Sequence, residues 1–174
     1  MKLPFEIDLN GKTAVVTGGG GVLCSDFAKT VAHCGAKVAV LDLNADAAAK
    51  VAGEINALGG TAMAVGTNVL DKESLSDAKA EINKAFGRVD ILLNGAGGNN
   101  PKGTTSKDYY EKGDEVREDI KSFFDLDPKG IEFVFNLNFL GTLLPTQVFA
   151  PDLIDSDDGC IINISSMNAF CPLT

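Results

Sequence analysis

The sequence predicts an α/β fold in which helices cover both faces of a parallel sheet. Two observations predict it. Short, β-branched apolar runs alternate with longer stretches that carry apolar residues at helical spacing, from Thr13 to Leu93. The run Ala14 to Val16 passes straight into four consecutive glycines, Gly18 to Gly21, with helical periodicity after them. A strand that enters a glycine turn and then a helix is the start of a βαβ unit.

Taken in order, Phe5 to Lys12 reads as a lead-in, with Asn10-Gly11 as a turn before the first strand. The first strand should be buried on both faces. The glycine turn sheds its Cβ atoms, as a sharp bend or a close ligand requires. The helix after it starts near Val22 and points its unpaired N–H groups at the turn, which suits an anion such as a dinucleotide pyrophosphate. A flexible glycine loop is the plainer alternative; the strand before and the helix after favour the dinucleotide. Leu23, Phe27, Val31 and Cys34 recur at helical spacing, and Gly35 ends the helix. His33 falls in its last turn, where a cation is welcome, and no partner residues accompany it as a metal ligand would require.

The second strand, Lys37 to Leu41, ends at Asp42. An acidic residue here can accept hydrogen bonds from both hydroxyls of an adenosine ribose, and its charge repels a 2′-phosphate. That favours NAD over NADP. The alternative is a helix N-cap, with Asn44 as the rival cap. Ala45 to Leu58 reads as a helix with Ala48, Val51, Ile55 and Leu58 on one face, ended by Gly59-Gly60. Thr61 to Gly66 reads as the third strand. Asp71 caps the next helix, whose stripe is Leu75, Ala78, Ile82 and Phe86, closed by Gly87. Val89 to Leu93 is the fourth strand and runs into a second glycine turn, Asn94 to Gly98. In such sheets ligands lie at the carboxyl ends of strands. Ile131 to Ala150 reads as a long helix, where Pro145 predicts a kink or an early stop. Cys160 to Ile164 is the fifth strand.

Composition narrows the function. The chain has 174 residues, the size of one domain over 1–174, and is 45% hydrophobic and 22% charged. Its net charge of −9 argues against nucleic acid or an anionic membrane as partner. No apolar run approaches membrane-spanning length, and the start, Met1 to Glu6, lacks a signal-peptide core. The four cysteines, Cys24, Cys34, Cys160 and Cys171, form no C-x-x-C pair, and with one histidine they make no metal cluster. A reduced, cytoplasmic setting is the expectation.

Several motifs stand in register: Thr17-Gly18 and its glycines, Asp42, Asn68-Val69, Asn94-Gly95-Ala96-Gly97, Asn138, and Ile164-Ser165-Ser166. Together they resemble the short-chain dehydrogenases/reductases, over nearly the whole chain. Within that family the resemblance is to the sugar-acid branch, oxidoreductases of the mannonate or fructuronate type. The stretches that suggest it are 94–102, 123–127, 133–142 and 165–169.

The resemblance implies a three-layer Rossmann fold, with a parallel sheet left incomplete on its C-terminal side. It implies hydride transfer between a nicotinamide cofactor, NAD rather than NADP, and a sugar-acid carbonyl or alcohol. Gly18, Gly20, Gly21, Val22 and Leu23 would hold the pyrophosphate. Asp42 with Leu43 would hold the adenosine ribose, and Asn68 and Val69 would border the adenine. Asn94, Gly95 and Ala96 would pass beneath the nicotinamide ribose. Asn138 would hold a water in a proton relay, and Ser166 would hydrogen-bond the reacting oxygen. A small-molecule sugar acid as substrate and a dimeric or tetrameric full-length parent are likewise implied.

Three departures stand out. The family's tyrosine, with its lysine four residues on, is expected beyond Thr174, so the chain is expected to be the N-terminal part of an enzyme and not to sustain turnover by itself. Val22 and Cys24 stand where the family usually has glycine; Cys24 is read as a small buried core residue rather than a redox group. The segment 98–130 is a longer, densely charged insertion on the substrate side, where Lys102 is the candidate partner for a substrate carboxylate or else a solvated loop lysine. A ketone or 3-oxoacyl reductase of the same family, or a non-catalytic nucleotide-binding module should Thr174 be the natural end, are the alternative functions.

Overall fold

The computed structural model describes residues 7–167. Phe5 and Glu6 of the expected lead-in, and Asn168, Ala169 and Cys171, lie outside the described residues. Five strands form one sheet: β1 (Thr13–Thr17), β2 (Lys37–Asp42), β3 (Thr61–Gly66), β4 (Ile91–Asn94) and β5 (Cys160–Asn163). Their order is β3-β2-β1-β4-β5, and every pairing is parallel. The helices are α1 (Val22–His33), α2 (Ala45–Ala57), α3 (Lys72–Phe86), α4 (Pro128–Phe135) and α5 (Gly141–Ile154). This is the three-layer Rossmann-type arrangement that the alternating pattern predicts.

Strand alternation divides the core in two. Ala14, Val16, Val38 and Val40 face α1 and α2, while Val15, Ala39 and Leu41 face α3 and α5. β1, at the centre, is buried at all five positions. The caps follow the sequence. Asn44 Oδ1 accepts from the Ala47 N–H, and Asp71 Oδ1 accepts from the Glu73 and Ser74 N–H groups.

Four expectations need correction. The fully buried face of α1 is Cys24, Ala28 and Ala32; of the residues read at helical spacing, Phe27 and Val31 pack partly buried against the same core, while Leu23 turns outward. Leu58 caps α2 and is exposed, because the helix ends before it can face the core. Pro145 does not stop the long helix. It is buried inside α5, and the irregularity comes earlier, as one π-helical turn over Asn136–Leu140 between α4 and α5. Finally, Pro128–Ile154 taken as one 27-residue helix has the length and mean hydropathy (1.3) of a membrane span. Glu132, Asn136, Asn138 and Asp152 interrupt its apolar run, so the linear sequence hides it. Here α5 packs on α3 and β4, with Phe149 fully buried.

β4 begins at Ile91 rather than Val89, and a carboxylate explains the shift. Asp152 Oδ2 accepts from the Val89 N–H at 3.2 Å, while Oδ1 lies 2.6 Å from the Lys79 ammonium. Burial pushes the Asp152 carboxyl up; the bonds from Lys79, the Val89 N–H and Asn83 outweigh it and hold the group below the usual carboxylate range. The pair joins α3, α5 and the entry to β4, with side chains only 19% and 11% exposed.

Asp152→Asn leaves the Lys79 ammonium half-buried without its counter-charge. It should cost about 3 kcal/mol, read as a lower urea midpoint at unchanged m-value. Because the folded pKa is depressed, the pair's contribution is present above the unfolded carboxylate pKa of about 3.9 and is lost as pH falls through the lower folded value. The variant should lack that acid-side loss.

Candidate active site

At the carboxyl ends of β1 and β4 the two glycine turns meet. Thr17 Oγ1 accepts from the Gly95 and Ala96 N–H groups at 3.1 and 3.2 Å. Gly18 adopts φ +65°, and a Cβ there would lie 2.9 Å from the Ala96 backbone. Both facts require glycine. Gly21 is the N-cap of α1 and makes no side-chain cap; the first helical bond runs from the Ser25 N–H to Gly21 O at 2.9 Å. The N–H groups of Val22, Leu23 and Cys24 therefore have no intrahelical acceptor. They open on a cleft of about 450 Å³ whose floor includes Gly18, Gly95 and Ala96. A concave site with uncapped helix N–H groups and no room for side chains in its floor fits a dinucleotide pyrophosphate.

The other predicted cofactor residues divide between the cleft and its support. Gly21, Val22, Leu23, Asp42, Leu43, Asn68 and Val69 all line the cleft. Val22 and Leu43 form its exposed rim, and Val69 is buried in the core behind it. Asp42 Oδ2 accepts from the Gly20 N–H at 3.0 Å and Oδ1 from the Asn44 N–H at 2.9 Å. Asn44, not Asp42, is the helix cap, so the rivalry between them is resolved and the Asp42 carboxylate ties the glycine turn to β2 while bordering the cleft. Gly20 is placed against Asp42 rather than in the cleft wall. Asn68 Oδ1 accepts from the Leu70 N–H.

Asn94 is 2% exposed and lies beneath the cleft rather than on its surface. Its Nδ2 donates to Thr146 Oγ1 and Asn163 Oδ1 at 3.0 and 2.9 Å, and its Oδ1 has no hydrogen-bond partner among the described residues. Asn138 sits in the π-helical turn. Its Nδ2 donates to Gly98 O and Val134 O, both at 2.8 Å, and its Oδ1 accepts from the Gly98 N–H at 3.1 Å. The side chain thus grips the backbone after β4 from both sides. Ser166 is exposed and lies two residues beyond Ile164, which lines the cleft; Ser166 is not itself among the lining residues.

Lys102 is not brought to the cleft. Its side chain is 73% exposed and its ammonium lies 3.9 Å from the Asp127 carboxylate. Tyr109 and Tyr110, the chain's two tyrosines, also lie away from it, in the insertion. Thr17, part of the first motif in the sequence, is fully buried and joins the two turns from beneath the cleft. Thr67, Leu70, Phe133 and Leu137 line the cleft and have no role in the sequence reading. Phe133 and Leu137 form a wall from α4 and the π-helical turn. Their four-residue spacing was a legible signal, though it does not say which side faces a ligand.

Cys24 is buried among the first-core residues and borders the cleft. Burial, and then the Asp42 charge, push its thiol up, which keeps it protonated at neutral pH. A Cβ on Gly95 would lie 2.2 Å from its Sγ.

The short chain dehydrogenase family model matches residues 12–174. An "uncharacterized oxidoreductase" of Haemophilus influenzae is 53% identical over 174 residues, which is 100% of this chain and 60% of that protein. A Haemophilus influenza protein provisionally called a D-mannonate oxidoreductase, solved with bound NAD, superposes with a TM-score of 0.92 at 55% identity, covering 96% of this chain and 59% of that one. A 7α-hydroxysteroid dehydrogenase complexed with NADH and 7-oxo glycochenodeoxycholic acid superposes with a TM-score of 0.78 at 32% identity, covering 98% and 59%. The chain spans about 60% of the length of the curated relatives it matches first.

The Gly95–Cys24 contact predicts a coupled pair. Gly95→Ala should cost about 1–3 kcal/mol by overpacking. In a Cys24→Ala background the same change should cost less, with a favourable coupling of at least about 0.5 kcal/mol in a double-mutant cycle by urea unfolding. Strict additivity would show that the thiol is not what excludes a Cβ at position 95.

Proposed function

The chain belongs to the short-chain dehydrogenase family, and on that premise we propose that it supplies the cofactor side of an NAD-dependent oxidoreductase acting on a sugar acid. The observation that carries the reading is the cleft: uncapped N–H groups at the start of α1, the Asp42 carboxylate on its rim, and the Gly95-Ala96 backbone as its floor. Val22 and Leu23, with Gly18 and Gly21, would hold the pyrophosphate through backbone donors. Asp42 would accept from the ribose hydroxyls, each of its oxygens keeping acceptor capacity beside the bonds from Gly20 and Asn44. A 2′-phosphate at that point would meet its negative charge, which favours NAD over NADP. Asn68 and Val69 would border the adenine.

When bound, NAD accepts a hydride from a carbinol carbon and so takes up the two electrons of its oxidation to a carbonyl. The hydroxyl proton must pass to a general base in the same transformation, a role the family resemblance gives to a tyrosine and not to any residue assigned here. Ser166, in the loop that leaves β5 beside the cleft, would donate to the reacting oxygen and stabilise its developing charge. Asn138 would act through Gly98, holding the segment after Ala96 in place. Its carboxamide donors are engaged by Gly98 O and Val134 O, so we assign it a positioning role. Neither tyrosine faces this cleft, so neither is assigned the proton transfer.

The sugar-acid reading is supported by the family resemblance of 94–102, 123–127 and 133–142, and by the likeness to the provisionally named mannonate enzyme. The likeness to a hydroxysteroid dehydrogenase supports a second reading, a secondary alcohol or ketone outside the sugar class. A substrate panel on the full-length protein separates the two.

Calorimetric titration tests the cofactor reading. NAD⁺ should bind, and Asp42→Ala should weaken it about tenfold, some 1.4 kcal/mol, while weakening NADP⁺ less or improving it. No NAD⁺ binding, or equal losses for both dinucleotides, would overturn the assignment.

A further inference from the structure

The insertion between β4 and α4 builds a cavity of its own, about 430 Å³, lined wholly by residues from Asn99 to Leu126. It begins where the first cleft ends: Gly97 lines the cleft and Asn99 lines the cavity, on either side of the Gly98 that Asn138 grips. Its volume is that of a small-molecule site.

Two lysines line it, and their electrostatic settings differ. The Lys107 ammonium lies 3.0 Å from the buried Asp114 carboxylate and also pairs with Glu111, so its charge is compensated. Lys121 has no carboxylate within 4.0 Å among the described residues. Its ammonium donates once, to Pro101 O at 2.5 Å, which leaves donors for a ligand. Its backbone is fixed by a reciprocal pair with Ser106: Lys121 N donates to Ser106 Oγ at 3.0 Å, and Ser106 N donates to Lys121 O at 2.9 Å. The rest of the wall is mixed. Tyr109 and Phe123 present exposed rings, and Asp108 adds an acceptor. Negative charge placed beside Asp108 would be repelled, so a ligand's charge belongs at Lys121 and its neutral hydroxyls at Asp108. A ligand with one carboxylate, several hydroxyls and an apolar carbon edge satisfies every part of this wall.

We propose that this cavity receives the acid end of the substrate, with Lys121 as the partner of its carboxylate, Asp108 as an acceptor for its hydroxyls and the Tyr109 and Phe123 rings against its carbon chain. The assignment rests on the sugar-acid reading above and replaces Lys102 with Lys121.

The chain carries its own probe. Residues 1–174 hold no tryptophan, and their two tyrosines, Tyr109 and Tyr110, both lie in this cavity wall, so tyrosine emission from this stretch reports on the cavity. Titration with D-mannonate and D-gluconate should change tyrosine emission saturably, and the neutral D-mannitol should not. Lys121→Met should weaken the response at least tenfold, Lys121→Arg should largely retain it, and Lys102→Met should leave it unchanged. All three variants should bind NAD⁺ by calorimetry as the parent chain does. A chain that binds NAD⁺ yet shows no response to either hexonate overturns the proposal. So does an equal response to mannitol, or an undiminished response in Lys121→Met. Failure of the parent chain to bind NAD⁺ counts instead against the cofactor reading, with the fluorescence outcome judged separately.

Discussion

The close approach of two turns is the constraint on which this structure depends. The chain leaving β1 and the chain leaving β4 pass within van der Waals distance of each other, joined by the Thr17 hydroxyl. No Cβ fits at Gly18 without meeting Ala96, and none fits at Gly95 without meeting Cys24. Because both turns are thin, α1 can begin directly over the sheet end with its unpaired N–H groups facing outward. Asp42 adds the third tie by accepting from Gly20, so the ends of β1, β2 and β4 are registered to one another through backbone and short side chains. A site built from such parts is preorganised, since little conformational freedom remains to be lost when a ligand arrives.

The second half of the cleft is organised by a polar thread rather than by glycine. Asn94 donates to Thr146, Thr146 donates to Thr142 O, Thr142 donates to Asn138 O, and Asn138 holds Gly98 on both sides. Each threonine hydroxyl bonds a carbonyl one turn back along the helix, an arrangement that helices accommodate by bending or widening. The π-helical turn lies at the end of this thread, where Asn138 must leave the helical pattern far enough to reach Gly98. The position of the loop after β4 is thereby set by a helix packed on the sheet, and not by the loop's own sequence.

Much of this was legible in the sequence, and what was missed shares a cause. Strands, caps and glycine stops are local: Asp71, Asn44 and Gly35 act within a few residues, and the reading finds them. Periodicity also locates α1, with Phe27 and Val31 packed at the edge of the core, but it does not show that the small residues Cys24, Ala28 and Ala32 form the fully buried face. The start of β4 depends on Asp152, some 60 residues away, and no pattern near Val89 shows it. Pro145 reads as a stop because the missing N–H is local, while the packing that retains the helix around it is not. That Asp42 and the two turns meet at one cleft was legible, because each follows a strand end. The proposed partner of a substrate carboxylate was not legible, because only the folded insertion shows that Lys102 lies 3.9 Å from Asp127 while Lys121 has no carboxylate beside it among the described residues.

The two cavities share one boundary, and its backbone is held by Asn138. Gly97 has no room for a Cβ against Asn138, and Gly98 is held through both its N–H and its carbonyl. A ligand reaching from the nicotinamide side into the insertion would cross this point. The distance between its reacting carbon and its acid end would then be measured against a fixed strut, anchored through α5 to β4, rather than against the charged loop itself.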